Sequence, residues 1–329
     1  MAPETFLDYS ENLEPVQADA EAFVEHIAMN PQVLGLAESF GYEIPRGGSI
    51  TDRLERLKEF SNATWDSRNG GERWDAVSKE LTSHQSDEVF AAAESWNMVR
   101  STEPTKDHYD FVTILGGANM TPLLRVQYAK ERLGAKDIQV PYMVLLGSSR
   151  QLNDAEKTKT AEYAPGAKDE YDLMNAAVEK VYGVKSEDEQ TIDLRNFGAS
   201  ISGPADKNMW RVRYYQTPDG MHIMSVSAPQ IEGDKRVNTA DTYHFIRDVV
   251  GKEMLEGANV LNVTNAHFVP FQHADATRLL GLETGAHVET IGFSADYANI
   301  VRKPQDLLQE MNSAINQADL LQKALKQRS

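Results

Sequence analysis

The chain contains no cysteine among its 329 residues. Disulfide bonds, thiolate nucleophiles and cysteine-ligated metals are therefore excluded. The sequence also lacks an apolar run long enough to cross a bilayer, and residues 1–15 have neither the basic region nor the apolar stretch of a signal peptide. From these absences we expect a cytoplasmic protein without a membrane partner.

Positive charge is scarce in this sequence. Lysine and arginine number 33 against 50 aspartates and glutamates, which gives a formal net charge of −17 and a pI near 4.9. Nucleic acids and anionic membrane surfaces require a cationic binding surface, so we expect neither as a partner. We interpret the acidic surface as one that keeps the protein soluble.

Several signatures of known ligand sites are missing as well. The sequence has no G-x-G-x-x-G fingerprint, no P-loop, no H-E-x-x-H and no G-x-S-x-G. A nicotinamide, flavin or P-loop nucleotide site is therefore disfavoured, no metal-ligand set is predicted, and the cofactor stays unassigned. Hydrolysis or group transfer is favoured over redox chemistry.

Hydrophobic periodicity divides the chain into three parts. Residues 1–105 carry apolar residues at helical spacing only, which predicts a helical N-terminal domain or cap. Beyond that point strand and helix patterns alternate, so residues 106–303 are predicted to form a Rossmann-like α/β domain. Its mostly parallel sheet carries helices on both faces. Residues 304–329 predict a C-terminal helix with an apolar stripe, covered either by the N-terminal helices or in a homodimer.

Shorter patterns predict individual elements of the α/β domain. Phe111–Leu115 is a compact apolar run typical of a strand buried on both faces. Met209–Tyr215 and Met221–Val226 flank the turn signal Thr217–Gly220, which indicates an antiparallel hairpin. Asn153–Tyr163 is charged and loop-like, and we interpret it as a mobile flap.

The turn after the first predicted strand is the centre of the functional prediction. Gly116 and Gly117 permit a sharp turn, and Asn119 or Thr121 is expected to cap the helix that follows. Such a turn directs backbone N–H groups at the region above the sheet edge, where anions bind in open α/β folds. Arg125, about two turns into the helix, is a candidate for charge recognition. An ordinary βα turn with a surface arginine is the competing interpretation.

Three further polar loops are expected at the carboxyl ends of strands, where ligands of doubly wound sheets bind. One of them is Gly147–Arg150, whose serine donors and arginine suit an anionic group. A second begins a helix at Asn238, although helix capping alone also explains its residues. Together with the first turn, the predicted ligand-binding residues are Gly116, Gly117, Asn119, Arg125, Gly147, Ser148, Ser149, Arg150, Asn238, Thr239, Asp241 and Asn265.

The last loop supplies the main catalytic candidate. His267 follows the predicted strand Val260–Thr264 almost directly, and an imidazole titrates near neutrality, as general acid/base work requires. The competing interpretation is a histidine that hydrogen-bonds a neighbouring loop. Glu170 is the second catalytic candidate.

Taken together, these segments resemble the YdcF/SanA/ElyC-like family over about residues 108–295. The matching segments are the strand and glycine run ILGG (Ile114–Gly117), Arg125 in the next helix, the strand end LLGSS, Glu170, the helix start RVNTADTYHF and the strand end LNVTNAHFVPF. Two positions depart from the family pattern: Gly147–Ser149 stands where the family has Ser-Gly-Gly, and Pro270 where it has an arginine. The resemblance implies a Rossmann-like fold and a crevice for a polar small molecule of nucleotide or S-adenosylmethionine type.

The leading functional hypothesis is an enzyme, a hydrolase or group transferase, that acts on an anionic or nucleotide-like small molecule at the carboxyl ends of the strands. The alternative is a binding module that holds a molecule of this class without turning it over. A third hypothesis is a scaffold that assembles through its C-terminal helix.

Overall fold

A computed structural model describes residues 10–43, 47–67, 80–186, 188–198, 208–229 and 239–328. Contacts within the chain define two compact units. Unit 1 comprises residues 1–101, 266–287 and 294–329, and unit 2 comprises residues 102–265 and 288–293. The domains expected from the sequence are consecutive, whereas in these units residues 266–287 group with the N-terminal helices.

The elements follow one another in the order below. The first part of the chain contains α1 (Ser10–Met29), α2 (Pro31–Ser39), α3 (Ile50–Thr64), α4 (Ser83–Ser95), β1 (Phe111–Leu115), α5 (Thr121–Ala135), β2 (Tyr142–Ser148), α6 (Asp154–Thr160) and α7 (Glu170–Tyr182). The second part contains β3 (Gln190–Asp193), β4 (Met209–Gln216), β5 (His222–Ala228), α8 (Thr239–Val250), α9 (Lys252–Leu255), β6 (Asn259–Asn265), α10 (Val269–Ala276), α11 (Leu282–Thr284), β7 (His287–Phe293) and α12 (Pro304–Lys326).

Unit 1 is helical, and local sequence signals explain where its helices begin. The side chain of Asn30 accepts from the backbone N–H groups of Gln32 and Val33, which caps α2. Ser49 forms a capping box at α3, and Thr82 forms another at α4. These caps satisfy backbone donors that would otherwise lack a partner at the first turn.

Helix α12 lies in the core of unit 1. Its apolar stripe, which includes Leu307, Met311 and Leu321, is buried, and the helix packs against α1, α3 and α10. The stripe expected on the C-terminal helix is therefore covered by helices of the same chain, the first of the two covers considered from the sequence.

Unit 2 is built on a sheet with the order β3-β4-β5-β2-β1-β6-β7 within the described residues. Strands β5, β2, β1 and β6 run parallel to one another, whereas β4 is antiparallel to both β3 and β5. The mostly parallel sheet and the β4–β5 hairpin predicted from the sequence are confirmed. Because the four parallel strands point the same way, their ends at Leu115, Ser148, Ala228 and Asn265 share one edge, here called the carboxyl edge.

Helices cover both faces of this sheet. Tyr215 of β4 donates its hydroxyl to Asn175 of α7 at 2.9 Å. Trp210 lies five residues earlier on the same strand and therefore faces the opposite side, where it stacks on Phe245 of α8 with ring centroids 4.5 Å apart. The predicted Rossmann-like layering is confirmed.

The interpretation of Asn153–Tyr163 as a mobile flap was wrong in its secondary structure, because α6 occupies most of it. Asn153 accepts from the backbone N–H of Glu156 at 2.9 Å, and the carboxylate of Glu156 accepts from the N–H of Asn153 at 2.9 Å. This reciprocal cap stabilises a short helix despite its polar composition. Within the described ranges, none of the helices has the length and apolar character needed to cross a bilayer.

Candidate active site at the carboxyl edge

Most of the predicted ligand-binding residues lie at the carboxyl edge of unit 2. The register pairs Leu115 with Leu146 and Ile114 with Val263. Gly116, the residue after Leu115, therefore lies at the carboxyl edge between the end of β2 and Asn265 of β6. Thr239 and Asp241 lie in the first turn of α8. Asn238 falls outside the described residues.

Arg125 clamps the ends of β1 and β6 together. Its side chain is 1% exposed. Nε and Nη2 donate to Oδ1 of Asn265 at 2.9 and 2.7 Å, and Nη1 donates to the carbonyl of Leu115 at 2.7 Å and to the carbonyl of Gly116. The guanidinium that the sequence suggested for charge recognition thus has acceptors within the protein.

This clamp fixes the direction of the Gly116–Gly117 peptide. A trans peptide points its C=O and N–H in opposite directions. Because the carbonyl of Gly116 faces Arg125, the N–H of Gly117 faces away from it. A side chain at Gly117 would approach Thr121 Cγ2 to 2.8 Å, so the backbone enters α5 at a point where only glycine fits without adjustment.

The helix that follows has no side-chain cap. Its N-cap is Met120, so the cap expected from Asn119 or Thr121 was wrong. Asn119 instead adopts φ 56°, and its carbonyl accepts from the Tyr163 hydroxyl at 2.9 Å. Oδ1 of Asn119 is buried without a hydrogen-bond partner among the described residues. The start of α5 therefore lacks the side-chain acceptor that usually satisfies such a turn.

Glu170 brings a carboxylate beside the same turn. The residue is 8% exposed and opens α7, and its Oε2 accepts from the Ser148 hydroxyl at 2.8 Å. A Cβ at Gly116 would collide with Oε1 of Glu170 and would lie 2.6 Å from the carbonyl oxygen of Leu146. Glycine at this position therefore allows the carboxylate to reach the end of β1.

Arg150 is held between two carboxylates. Its Nη1 and Nη2 donate to the two oxygens of Glu156 at 3.1 and 3.0 Å, and its Nε lies 3.6 Å from Oε2 of Glu170. Burial by itself lowers the pKa of Arg150, but the contacts with the two carboxylates outweigh it, so the pKa lies above its ordinary value. Arg150 is thus a fixed cation with partners inside the protein.

Two other predicted residues have structural contacts at this edge. The N–H and hydroxyl of Ser149 donate to the carbonyl of Ala228 at 2.9 and 3.0 Å, which ties the end of β2 to β5. A Cβ at Gly147 would lie 3.1 Å from the carbonyl oxygen of Val226 and 3.2 Å from Met174 Cγ. Close packing of β2 against β5 and α7 explains this glycine.

A second, half-buried ion pair at this edge was not found from the sequence. Asp169 is 5% exposed; it caps α7 and accepts from Arg211 Nη2 at 2.6 Å. Arg211 also donates to Ser227 Oγ at 3.1 Å and lies over the Tyr171 ring, 4.7 Å from its centroid. Asp169 and Arg211 lie far apart in the chain, and no local pattern links them. Glu156 was missed too, although the spacing N-x-x-E is a capping signal that predicts it.

The charged side chains named at the carboxyl edge neutralise one another. Arg150 and Arg211 face Glu156, Glu170 and Asp169, and Arg125 is held by backbone and amide oxygens. An anion bound at this edge would therefore have to be held by backbone N–H groups. Within the described ranges, no group of three or more histidine, aspartate or glutamate residues has an arrangement that holds a metal ion.

His267 belongs to unit 1. It lies in the 3₁₀ turn Ala266–Phe268 directly after β6, is 6% exposed and packs on Phe268 with ring centroids 3.9 Å apart. Its assignment to acid/base chemistry stays a prediction. A separate open groove in unit 1 is lined by Phe90, Arg100, Asp296 and their neighbours and contains none of the predicted residues.

Comparison with known proteins adds a family match at the N-terminus. Residues 12–97 match the family described as the Rv3785 N-terminal domain. The similar proteins include uncharacterised protein Mb3814 of Mycobacterium bovis and uncharacterised protein Rv3785 of Mycobacterium tuberculosis. Each is 29% identical over 334 aligned residues, covering 94% of this chain and 91% of the relative. No solved structure matches the chain.

These matches overturn the resemblance to the YdcF/SanA/ElyC-like family. The family match lies in residues 12–97, outside the segment that carried the resemblance. Mb3814 and Rv3785 align along almost the whole chain, and neither is described as a member of the YdcF/SanA/ElyC-like family. The short segments that suggested the resemblance, such as a glycine turn after a strand and small residues after the next, are common to many βα units.

Proposed function

We propose that unit 2 binds an anionic, nucleotide-like small molecule at the carboxyl edge and that the protein is a hydrolase or group transferase acting on it. The observation that carries this proposal is the Arg125 clamp. It holds the carbonyl of Gly116 toward Arg125, so the N–H of Gly117 points away from Arg125. The helix that follows, α5, begins without a side-chain cap. Such N–H groups favour anions through hydrogen bonds and the helix dipole.

A second feature supports catalysis at the same place. The Ser148 hydroxyl and the Glu170 carboxylate form a hydrogen-bonded pair beside Gly116, at the strand ends where this fold class holds its reacting groups. An enzyme of this kind needs polar side chains held in fixed positions, and the contacts of Glu170 with Ser148 and Arg150 meet that need.

The anion-binding step is testable through a single amide. The chain has 21 glycines but only three Gly-Gly steps, at 47–48, 70–71 and 116–117. After labelling with [1-¹³C, ¹⁵N]glycine, only the second residue of each step couples its ¹⁵N to a ¹³C carbonyl. Gly117 is then one of three resolved signals, with Gly48 and Gly71 as internal controls.

Titration with inorganic phosphate is expected to shift the Gly117 signal to saturation and to leave the Gly48 and Gly71 signals in place. Sodium chloride at matched ionic strength controls for general salt effects. An unmoved Gly117 signal across the phosphate series would contradict the proposed site.

The alternative function is a binding module without turnover. It is favoured by one observation: Arg150 and Glu170, two charged side chains at the carboxyl edge, already have partners within the protein. A panel of phosphate esters and nucleotides incubated with the full chain decides between the two. Products that form at a rate proportional to protein concentration support the enzyme, and a bound but unaltered ligand supports the binding module.

A further inference from the structure

A groove in unit 1 takes no part in the proposed function. It lies beside α4, and we call it the α4 groove. Its lining residues include Phe90, Glu94, Val99, Arg100, Ser294 and Asp296. Phe90 is 38% exposed, and Val99 packs on the helical core, so the groove offers apolar surface to a partner. Apolar surface rimmed by polar residues is typical of a site that binds another protein.

An exposed apolar segment lies close to this groove in the chain. Val301 is 93% exposed and Ile300 is 46% exposed, and we call these two residues the aliphatic pair. The backbone N–H of Ile300 donates to the carbonyl of Ala295 at 2.9 Å, in a turn that also contains the groove residue Asp296. Asn299 adopts φ 52° in this turn, a conformation that asparagine tolerates well. The backbone before the pair is therefore held in place, which reduces the entropy lost when a partner binds.

Two exposed charges accompany the groove and the aliphatic pair. Asp296 lines the groove and Lys303 follows the pair, and both residues are exposed. Neither side chain forms an ion pair among the described residues, whereas Glu94 and Arg100 pair with each other across the groove. A partner that complements the groove thus carries an aliphatic side chain close to a cation.

We propose that the α4 groove binds the aliphatic pair of a second copy of this chain, which gives a symmetric homodimer. Residues 300–303 have the composition that the groove complements, aliphatic side chains followed by a cation. Because groove and pair belong to the same unit, a two-fold axis places each pair in the groove of the other copy and each Lys303 beside the other copy's Asp296. Every contact is then made twice. The C-terminal helix is not the interface, because its apolar stripe is buried within the chain.

Sedimentation velocity on the full chain tests the dimer directly. Physiological ionic strength is chosen because it largely screens the repulsion between two chains of net charge −17. The weight-average mass is expected to rise from 36.7 kDa towards twice that value between low micromolar and submillimolar concentrations. Val301→Asp should weaken dimerisation about 100-fold, because the interface would bury the new charge twice. Met254→Asp, at a half-exposed methionine of unit 2, is the matched control and should leave dimerisation unchanged.

A charge exchange tests the orientation of the two copies. Asp296→Lys and Lys303→Asp should each weaken the dimer about tenfold, because each brings like charges together twice. The double variant Asp296→Lys/Lys303→Asp restores opposite charges and should regain most of the wild-type affinity. Aspartate is a favoured N-cap residue, so position 303 at the start of α12 accepts it. Thermal unfolding verifies that the variants are folded.

A single introduced thiol gives a second measurement. The chain has no cysteine, so Val301→Cys carries one thiol at a position exposed in the monomer. A water-soluble disulfide reagent should react with it about tenfold more slowly at concentrations where the dimer predominates, because only the monomer exposes the thiol. Met254→Cys is the control and should react at the same rate at both concentrations.

Two results would overturn the proposal. One is a mass of 36.7 kDa at every concentration. The other is a dimer that Val301→Asp leaves intact, or one that the double charge exchange does not restore, because dimerisation would then use another surface. The anion site is judged separately, by the Gly117 signal.

Discussion

Replacing Arg125 with methionine tests the clamp on which the proposed anion site depends. The side chain is 1% exposed and serves three acceptors, the carbonyl oxygens of Leu115 and Gly116 and Oδ1 of Asn265. Methionine has a similar length but donates no hydrogen bond. Each buried acceptor left without a donor costs roughly 1–3 kcal/mol. Water that enters the vacated space offsets part of this, so we expect a loss of about 3–5 kcal/mol in the stability of unit 2.

Hydrogen exchange measured by mass spectrometry is the suitable assay, because a chain with two units need not unfold in one step. Peptides that cover β1 and β6 are expected to exchange about 100-fold faster or more in Arg125→Met, since each 1.4 kcal/mol corresponds to a factor of ten. Peptides from α3 in unit 1 serve as the internal reference.

Arg132→Met is the matched control on the same helix. The Arg132 side chain is 28% exposed and pairs with Glu103 at 2.6 Å, and exposed pairs of this kind contribute about 0–1 kcal/mol. If Arg125→Met accelerates exchange in β1 no more than Arg132→Met does, the clamp does not hold the turn and the reasoning from the Gly116 carbonyl is refuted.

Three further predictions concern other parts of the molecule. Gly116→Ala forces a Cβ to within 2.6 Å of the β2 backbone and should destabilise unit 2 by about 1–3 kcal/mol in chemical unfolding; an unchanged midpoint would contradict it. Burial lowers the pKa of His273 from 6.5 to about 4, against the opposing charge of Asp19. Between pH 6.5 and about pH 4, His273 is therefore protonated in the unfolded chain but neutral in the folded one. The free energy of unfolding should fall by up to about 3 kcal/mol as the pH drops through that window. His273→Leu should lose less stability than wild type between pH 7 and pH 4.5, and parallel pH profiles would rule the effect out. Asp319 is 2% exposed and pairs with two partly exposed lysines, Lys58 and Lys323. Asp319→Asn should therefore lower the free energy of unfolding by about 1–2 kcal/mol at pH 7, and calorimetry that finds no loss would refute this.

The parts of the fold that follow from local periodicity were predictable. Phe111–Leu115 is β1 as expected, because a short apolar run bounded by polar residues has few other interpretations. The β4–β5 hairpin followed from the turn signal at Thr217–Gly220. By contrast, β3 was missed, since Gln190–Asp193 is an edge strand with a polar sequence and its pairing with β4 decides its structure.

The candidate site was predictable in position but not in its contacts. The topology brings Gly116, Ser148 and Asn265 to one edge, as parallel strands require. The partner of Arg125 is Asn265, which lies on an element distant in the chain. The partner of Arg150 is Glu156, which belongs to a helix cap in the segment that was interpreted as a flap. The family resemblance failed for a related reason: its short segments describe how a βα turn is built and carry little information about which family built it.

The pairing of charges explains why the anion site proposed for this acidic protein relies on backbone donors. With a net charge of −17, an exposed arginine at the carboxyl edge would attract the protein's own carboxylates as readily as a ligand. Arg125 and Arg150 are instead enclosed by protein acceptors, where they orient the turn and the Glu170 carboxylate. In the proposed site the donors directed at a ligand are backbone N–H groups. No carboxylate can neutralise them by ion pairing, and the Arg125 clamp holds them in one orientation. A site of this design derives its selectivity from geometry rather than from net charge, so loss of the clamp should abolish it even though every charged residue around it remains.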